Sequence, residues 1–146
     1  MSGWTTDLLT GLAEALDAAA VGTWRASGIY VAGETAIVIR VIPPEPERLI
    51  TLAAYPVGPA AVQLADTVVG VQIRLRAGVD PRDCDDLADA VYDLLHGASR
   101  LTWTGIDVVQ VRRVSYTSLG QDTAGRWERS ENYYVDAMRP TDNNPD

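Results

Sequence analysis

The hydrophobic period of the chain changes three times along its length, and these changes most constrain the fold. Near the amino terminus apolar residues recur at the three- and four-residue spacing of a helix, and segments follow in which apolar and polar residues alternate. A second helical stretch and a second alternating stretch come next. Helical spacing buries one stripe of a helix, whereas alternation buries one face of a strand. The order helix, strands, helix, strands predicts an α+β fold.

Two helices are indicated by the apolar spacing and by the residues at their ends. Thr5 and Thr6 are candidate N-caps of the first helix, and Gly22 is a candidate stop. Asp80 can cap the second helix, and Pro81 suits its first position. The apolar stripes comprise Leu8, Leu9, Leu12, Ala13, Leu16, Ala19 and Ala20 in the first helix, and Cys84, Leu87, Val91, Leu94 and Leu95 in the second.

Five segments have the pattern of strands. The third alternates strictly, whereas the two before it are apolar on both faces apart from Arg40 and Thr51. After the second helix the alternation slips at Val108 and Val109, which indicates a β-bulge. A loop over residues 118–125 joins the last two segments. The five segments are residues 36–42, 49–55, 69–77, 106–116 and 126–138.

These elements predict one domain over residues 1–138, followed by a loose polar tail over residues 139–146. We expect an α+β fold with a mostly antiparallel sheet of about five or six strands and two helices packed on one face. The strands that are apolar on both sides need cover on the second face. Either another subunit buries that face, or the loop over residues 56–65 covers it, and the sequence favours neither.

The charge balance excludes one class of function. The chain has 20 acidic and 12 basic side chains, and its formal net charge is −8. A protein this acidic cannot hold DNA through broad neutralisation of phosphates. The single cysteine excludes an internal disulfide, and no apolar run reaches the ~18 residues of a membrane helix. No signal-peptide pattern is visible, so we expect a cytoplasmic protein when it is made, without membrane contact.

No catalytic, metal or cofactor site is predicted. His96, the single histidine, falls at the end of the second helix, where an imidazolium favours the helix dipole. Cys84 lies in an apolar stripe and is expected to be a packed thiol. Asp86, Asp89 and Asp93 share a helical face, but their spacing matches no calcium loop and is typical of a solvated face.

Six arginines are candidate subunit-interface residues. A guanidinium pairs with a carboxylate in two-point geometry, so these side chains could meet the acidic helix of a neighbouring subunit. The alternative is ion pairing between strands, with the interleaved Glu128 and Glu131. We expect charge reversal at Arg74 and Arg76 to impair assembly more than folding. The six candidates are Arg74, Arg76, Arg112, Arg113, Arg126 and Arg129.

One proline-rich link and several other short segments form a set with a characteristic order along the chain. In the link three prolines and two glutamates at residues 43–47 predict a stiff, protruding connection. The set further comprises residues 39–42, 50–52, 55–56, 71–76, 80–81, 94–97, 119–122, 125–126, 128, 130, 132–133 and 135. In this order and spacing, across residues 8–141, the chain resembles the tail terminator or minor capsid protein family of long-tailed bacteriophages.

The resemblance implies a structural protein of the virion tail or neck, assembled in the host cytoplasm. Such terminators form a ring, typically a hexamer, on the finished tail tube; they stop its polymerisation and offer a docking surface to the head–tail connector. DNA passes through the channel without specific binding, which suits a net negative ring. Candidate axial-contact residues are Pro43, Pro44, Glu45, Pro46 and Glu47 in one loop, and Leu119, Gln121 and Asp122 in another.

Two other functions stay open at the level of sequence. A different head–tail joining protein, from the neck or from tail completion, would differ only in the ring that it contacts. A small cytosolic enzyme or ligand-binding protein would require a pocket with converging polar groups.

Overall fold

The computed structural model describes residues 2–145; Met1 and Asp146, the outer ends of the predicted domain and tail, lie outside the described residues. The strands form one sheet in the order β1-β2-β3-β4-β7-β6-β5, with two helices, and the α+β class is confirmed. In chain order the elements are α1 (Trp4–Ala18), β1 (Thr23–Trp24), β2 (Thr35–Ile39), β3 (Arg48–Pro56), β4 (Asp66–Arg76), α2 (Pro81–Leu95), β5 (Ser99–Trp103), β6 (Ile106–Gln121) and β7 (Trp127–Met138).

The sheet differs from the prediction in strand number and in direction. It has seven strands where five or six were expected, because β1 has two residues and β5 has five, too few for an alternation to be recognised. The sheet is also mixed. The strands β1, β2 and β3 are parallel to one another, whereas every other neighbouring pair is antiparallel.

The parallel pairing of β2 and β3 sets the course of the proline-rich link. The five residues of β2 rise only about 16 Å, and residues 40–47 can span about 26 Å when extended, so the chain returns to the start of β3 without a helix. The Thr51 hydroxyl donates to the Val41 carbonyl (3.0 Å), and Pro46 is buried. The predicted protruding link therefore lies back against the sheet.

Both helices pack on one face of the sheet, as predicted. Alternate residues of the central strands, such as Ile50, Ile73 and Val135, form a single core with the apolar stripes of the helices. Where α1 crosses β5, a Cβ atom added to Gly11 would lie 2.3 Å from the Cβ atom of Trp103. No helix among residues 2–145 is long and apolar enough to cross a membrane.

The helix boundaries confirm one set of end signals and correct the other. The Asp80 side chain caps α2, and Pro81 is its first residue, as predicted. The prediction of Thr5 and Thr6 as N-caps is wrong, because α1 begins before them and no side chain caps it. The tertiary fold supplies another contact at this end: the Trp4 indole N–H donates to the carbonyl of the last residue of β7 at 3.1 Å.

The strand β6 is longer than predicted, whereas β7 matches its predicted bounds to within one residue. The bulge expected at Val108 is confirmed by a register shift between Val108 and Gln110. Because β6 continues to Gln121, only residues 122–126 connect it to β7, and the predicted loop over residues 118–125 is corrected.

The second face of β2 and β3 is covered from within the chain. Tyr30 packs there against a small apolar cluster of Ala36, Val38 and Leu49. The loop over residues 56–65 is exposed apart from its last residue, so the cover predicted from that loop is wrong. Burial of the second face by another subunit stays a prediction.

Candidate assembly surfaces

Arg76, at the end of β4, is buried against its own chain, with 3% of its surface exposed. Its Nε donates to the Glu47 carbonyl (3.0 Å), and its Nη2 donates to the carbonyls of Pro43 (2.8 Å) and Pro46 (2.7 Å). Burial, together with the nearby Arg126, lowers the pKa of this guanidinium from its ordinary value. Arg76 therefore anchors the proline-rich link to the sheet.

A second cluster lies between α2 and the sheet, around the fully buried Glu131. The Glu131 carboxylate accepts hydrogen bonds from Arg129 (2.8 Å) and Arg113 (3.2 Å). Arg129 also donates to Asp85 of α2 at 3.0 Å. Both guanidinium groups lie against the Tyr116 ring, at 3.8 Å from its centroid for Arg129 and 4.7 Å for Arg113. The cluster thus fixes β6 and β7 against α2.

The other three candidate arginines differ in their exposure to solvent. Arg74 donates to Glu128 (3.0 Å), and Arg126 donates to Asp122 (2.8 Å). Arg112 is exposed and lies over a tyrosine ring of β7, at 5.5 Å from its centroid, but forms no ion pair within residues 2–145. Ion pairing between strands is thus confirmed as one role of these arginines, and their role in a subunit interface stays a prediction.

The two loops predicted to make axial contacts meet at one end of the sheet. The carbonyl of Pro44 accepts a hydrogen bond from Arg126 at 2.7 Å, which joins the link to the turn between β6 and β7. Leu119 and Gln121 belong to β6 and lie beside this turn. Val79, next to the start of α2, is 66% exposed at the same end. We call residues 43–47, 79–80 and 119–126 the link end.

The opposite end of the sheet was not singled out by sequence reasoning. Here the loop between β3 and β4 exposes Val62 (81%) and Leu64 (58%). The first residue of the predicted tail, Arg139, donates its N–H to the Ala65 carbonyl (2.8 Å), and its guanidinium lies 4.9 Å from the centroid of the Trp4 ring. We call residues 56–65, together with residues 4–5 and 139–145, the loop end. Its signal in the sequence is a run of small and apolar residues between two strands.

A cleft of about 560 Å³ opens at the loop end. Its charged lining groups are the guanidinium groups of Arg40 and Arg139 and the carboxylate of Asp66. Neither the single histidine nor the single cysteine of the chain lines this cleft. The two guanidinium groups suit the cleft to a polar or acidic segment. Among its described residues the cleft contains no thiol or imidazole that could act as a nucleophile.

Cys84 and His96, the side chains best suited to catalysis, have structural roles. Cys84 is buried, and burial raises the pKa of its thiol to about 11, so the expected packed thiol is confirmed. His96 lies at the end of α2, as predicted, and its Nδ1 accepts the N–H of Arg113 at 3.1 Å. Within residues 2–145 no group of three or more potential ligands could hold a metal ion. The exposed carboxylates of α2 include Asp86, Asp89 and Asp93.

The open face of the sheet, the side without helices, is a further surface that sequence reasoning missed. Tyr55, Gly70, Tyr134 and Arg112 pair in one row across β3, β4, β7 and β6. The Tyr55 ring lies over Gly70, where an added Cβ atom would be 2.4 Å from the ring. The Tyr55 hydroxyl donates to Asn132 at 3.2 Å. Tyrosine and arginine side chains that reach solvent are typical of protein interfaces.

This architecture has relatives among known proteins. A family model described as "Bacteriophage tail terminator protein" matches residues 15–139. A chain of the solved structure "Virion of native gene transfer agent (GTA) particle" has a similar fold, with a TM-score of 0.51 and 19% sequence identity; the match covers 69% of this chain and 78% of that chain. No curated protein matches this sequence.

Proposed function

Because the chain belongs to the bacteriophage tail terminator family, we propose that its copies form a ring, typically a hexamer, on the finished tail tube. The protein is a structural component of the virion tail. In this proposal the ring blocks addition of further tube subunits, offers a docking surface to the head–tail connector and leaves an axial channel for DNA. It works by recognition and without catalysis. The observation that carries the proposal is the family match over residues 15–139.

The two ends of the sheet suit the two axial partners. The link end and the loop end lie at opposite ends of β3, β4 and β7, so one end can contact the tube while the other faces the connector. Arg76 fixes the link in one conformation, which lowers the entropy lost when the link contacts a partner. We propose that the candidate axial residues act here, and that the loop end forms the second axial surface.

The surface area of the subunit supports assembly. A compact monomer of 15.8 kDa has an accessible surface of about 7,300 Å². This subunit has 8011 Å², roughly a tenth more. Exposed loops, such as residues 57–64, contribute to this area, and an assembly can bury such surfaces.

The arginine proposal is now narrower. Arg76, Arg113, Arg126 and Arg129 are held by groups of their own chain. We propose Arg112, which has no ion pair within residues 2–145, and the more exposed Arg74 as the arginines that contact a neighbouring subunit. Their partners would be the exposed carboxylates of α2, which have the opposite charge.

The deciding experiment is to assemble phage with this gene silenced and to measure tail lengths by negative-stain electron microscopy. We expect tails longer than wild type, because nothing stops tube growth, and expect the wild-type gene supplied in trans to restore their length. Headless tails of normal length would instead assign the protein to another joining step in the neck. Normal, infectious particles would overturn both functions.

A further inference from the structure

The strand β6 has an open edge at one margin of the sheet. β5 pairs with β6 only as far as Gln110, and residues 96–98 cover the same side as far as Arg113. From Val114 to Leu119 the main-chain groups that face away from β7 have no partner among residues 2–145. We call residues 114–119 the open edge. Such an edge can pair with an added strand.

The open edge also presents apolar side chains to water. Val114 is 42% exposed, Tyr116 54% and Leu119 44%. Natural edge strands usually carry charges or prolines that prevent pairing with another chain. Residues 114–119 contain neither, so the composition of the open edge favours a partner strand.

An exposed segment lies at the opposite margin of the sheet, soon after β1. We call residues 28–33 the arm. In the arm Ile29 is 73% exposed and Val31 63%, whereas Tyr30 between them is held inward, where its hydroxyl donates to the Ile37 carbonyl. Alternating exposure is the pattern of a strand with one outward face. No strand pairs with the arm in the part of the chain that the structure describes.

The main chain of the arm is bonded on one side only. The N–H of Val31 donates to the Glu34 carboxylate (2.7 Å), and its carbonyl accepts the N–H of Glu34 (3.3 Å). The main-chain groups of Tyr30 and Ala32 have no partner within residues 2–145. Ala32 and Gly33 form the turn that the hydrogen bond between Glu34 and Val31 closes, so only residues 29–31 can be extended. Successive residues of an extended chain direct their main-chain groups to opposite sides, so those of Tyr30 face away from those that Val31 uses. The arm is thus arranged to pair on its free side.

We infer that the arm of one copy adds as a short strand to the open edge of β6 in the next copy. This inference rests on the proposed function. The occupant of the open edge is therefore a second copy of this chain. The two patches are different and lie at opposite margins of one sheet, so the contact is heterologous and can repeat around a closed ring. Ile29 and Val31 would cover Val114, which lies on the open face of the sheet, the side to which Thr117 also points.

The size of this contact explains how assembly could depend on the tube. A pairing over about three residues buries far less than the roughly 800 Å² per partner of a stable interface. Each contact is weak by itself, and the ring closes when the end of the tube holds several copies side by side.

Disulfide trapping tests the pairing directly. The double variant Val31→Cys with Thr117→Cys places one thiol on the arm and one on the open edge of every chain. We expect a ladder of disulfide-linked oligomers on non-reducing gels, ending at the closed ring, when the variant is oxidised on tail tubes. The matched control, Val31→Cys with Asp89→Cys on the outer surface of α2, should give no ladder. Cys84 is buried and stays unreacted in both variants.

A charge on the arm supplies the second measurement. Val31→Asp should weaken self-association at least tenfold in sedimentation experiments, whereas Ala90→Asp, the same charge on the exposed surface of α2, should not. Both positions are exposed, so melting temperatures should match wild type.

The outcomes separate this inference from the proposed function. Rings visible by native mass spectrometry without the Val31–Thr117 link would overturn the inference and leave the proposed function intact. Dimers formed by Thr117→Cys alone, through pairing of two open edges, would also overturn it. If neither rings nor links form on tail tubes, both the inference and the proposed ring are wrong.

Discussion

Arg74 and Arg76 lie two residues apart on the same side of β4, but their surroundings differ. Arg74 forms one partly exposed ion pair with Glu128, whereas Arg76 is buried and donates to three link carbonyls. Alternation along β4 predicts their common face. It does not predict the burial of Arg76, because the link that covers this side chain belongs to a different part of the chain.

We predict that Arg76→Glu lowers the free energy of unfolding by about 3 kcal/mol or more, because it buries an unpaired carboxylate among carbonyl oxygens. Arg74→Glu should cost about 1 kcal/mol, since solvent screens the partly exposed pair. Urea denaturation of both variants measures the difference. This result would revise the expectation that both reversals impair assembly more than folding, and equal losses would contradict it.

Asp136, on the open face of β7, has a buried carboxylate oxygen with no hydrogen-bond partner within residues 2–145. Burial raises the pKa of Asp136, with a further contribution from Asp66 that Arg112 opposes. Below the unfolded pKa of about 3.9 both states are protonated, and this group does not affect stability. At higher pH the unfolded state ionises first, so the unfolded state is favoured increasingly until the folded pKa is passed.

We therefore predict that Asp136→Asn raises the melting temperature at pH 7 but leaves it unchanged at pH 3. The matched control is Asp89→Asn, which removes an exposed carboxylate and should change neither value. Calorimetric melting at both pH values tests the prediction. An equal gain for both variants at pH 7 would indicate a general effect of net charge and not the burial of Asp136.

At the scale of elements, the close approach of α1 to β5 depends on one glycine. A Cβ atom at Gly11 would lie 2.3 Å from the Trp103 Cβ and 2.7 Å from the Trp103 main chain, which cannot move away as a flexible side chain could. Helical propensity alone would favour alanine at this position. Packing against β5 therefore outweighs local preference.

Gly11→Ala should lower the free energy of unfolding by about 1–3 kcal/mol, because the helix must shift away from β5. Gly58→Ala is the matched control, since nothing lies within 4 Å of the Cβ position there and the backbone is not strained. Chemical denaturation of the two variants gives the comparison. A Gly11→Ala variant as stable as wild type would show that α1 can move without loss of packing.

The elements themselves were largely predictable. Capping and apolar spacing located α2 from Asp80 onwards, and a slip in alternation located the bulge at Val108. The start of α1, the parallel pairing of β2 with β3 and the two short strands were not predictable. Each depends on contacts between distant segments, which local spacing does not record.

At the scale of the whole molecule, the charge of −8 remains the clearest physical constraint on function. We predict no binding of a duplex DNA fragment by the purified protein at about 50 mM salt, where phosphate contacts are strongest. Electrophoretic mobility of the labelled duplex checks this, with a basic DNA-binding protein as the positive control. A shifted band that disappears as salt is added would reveal a cationic surface and contradict a channel that DNA passes without binding.

The sequence by itself determined the class of fold, both helices, most strands and the family, because these depend on periodicity, end signals and the order of segments along the chain. Only the tertiary structure decided which charges are buried, which loops meet and which edges stay open. Arg76 and Pro46 lie 30 residues apart in the chain but form a hydrogen bond of 2.7 Å, and the arm and the open edge lie at opposite margins of the sheet. Local pattern constrains each segment separately, whereas an assembly surface consists of segments that only the fold brings together or leaves uncovered.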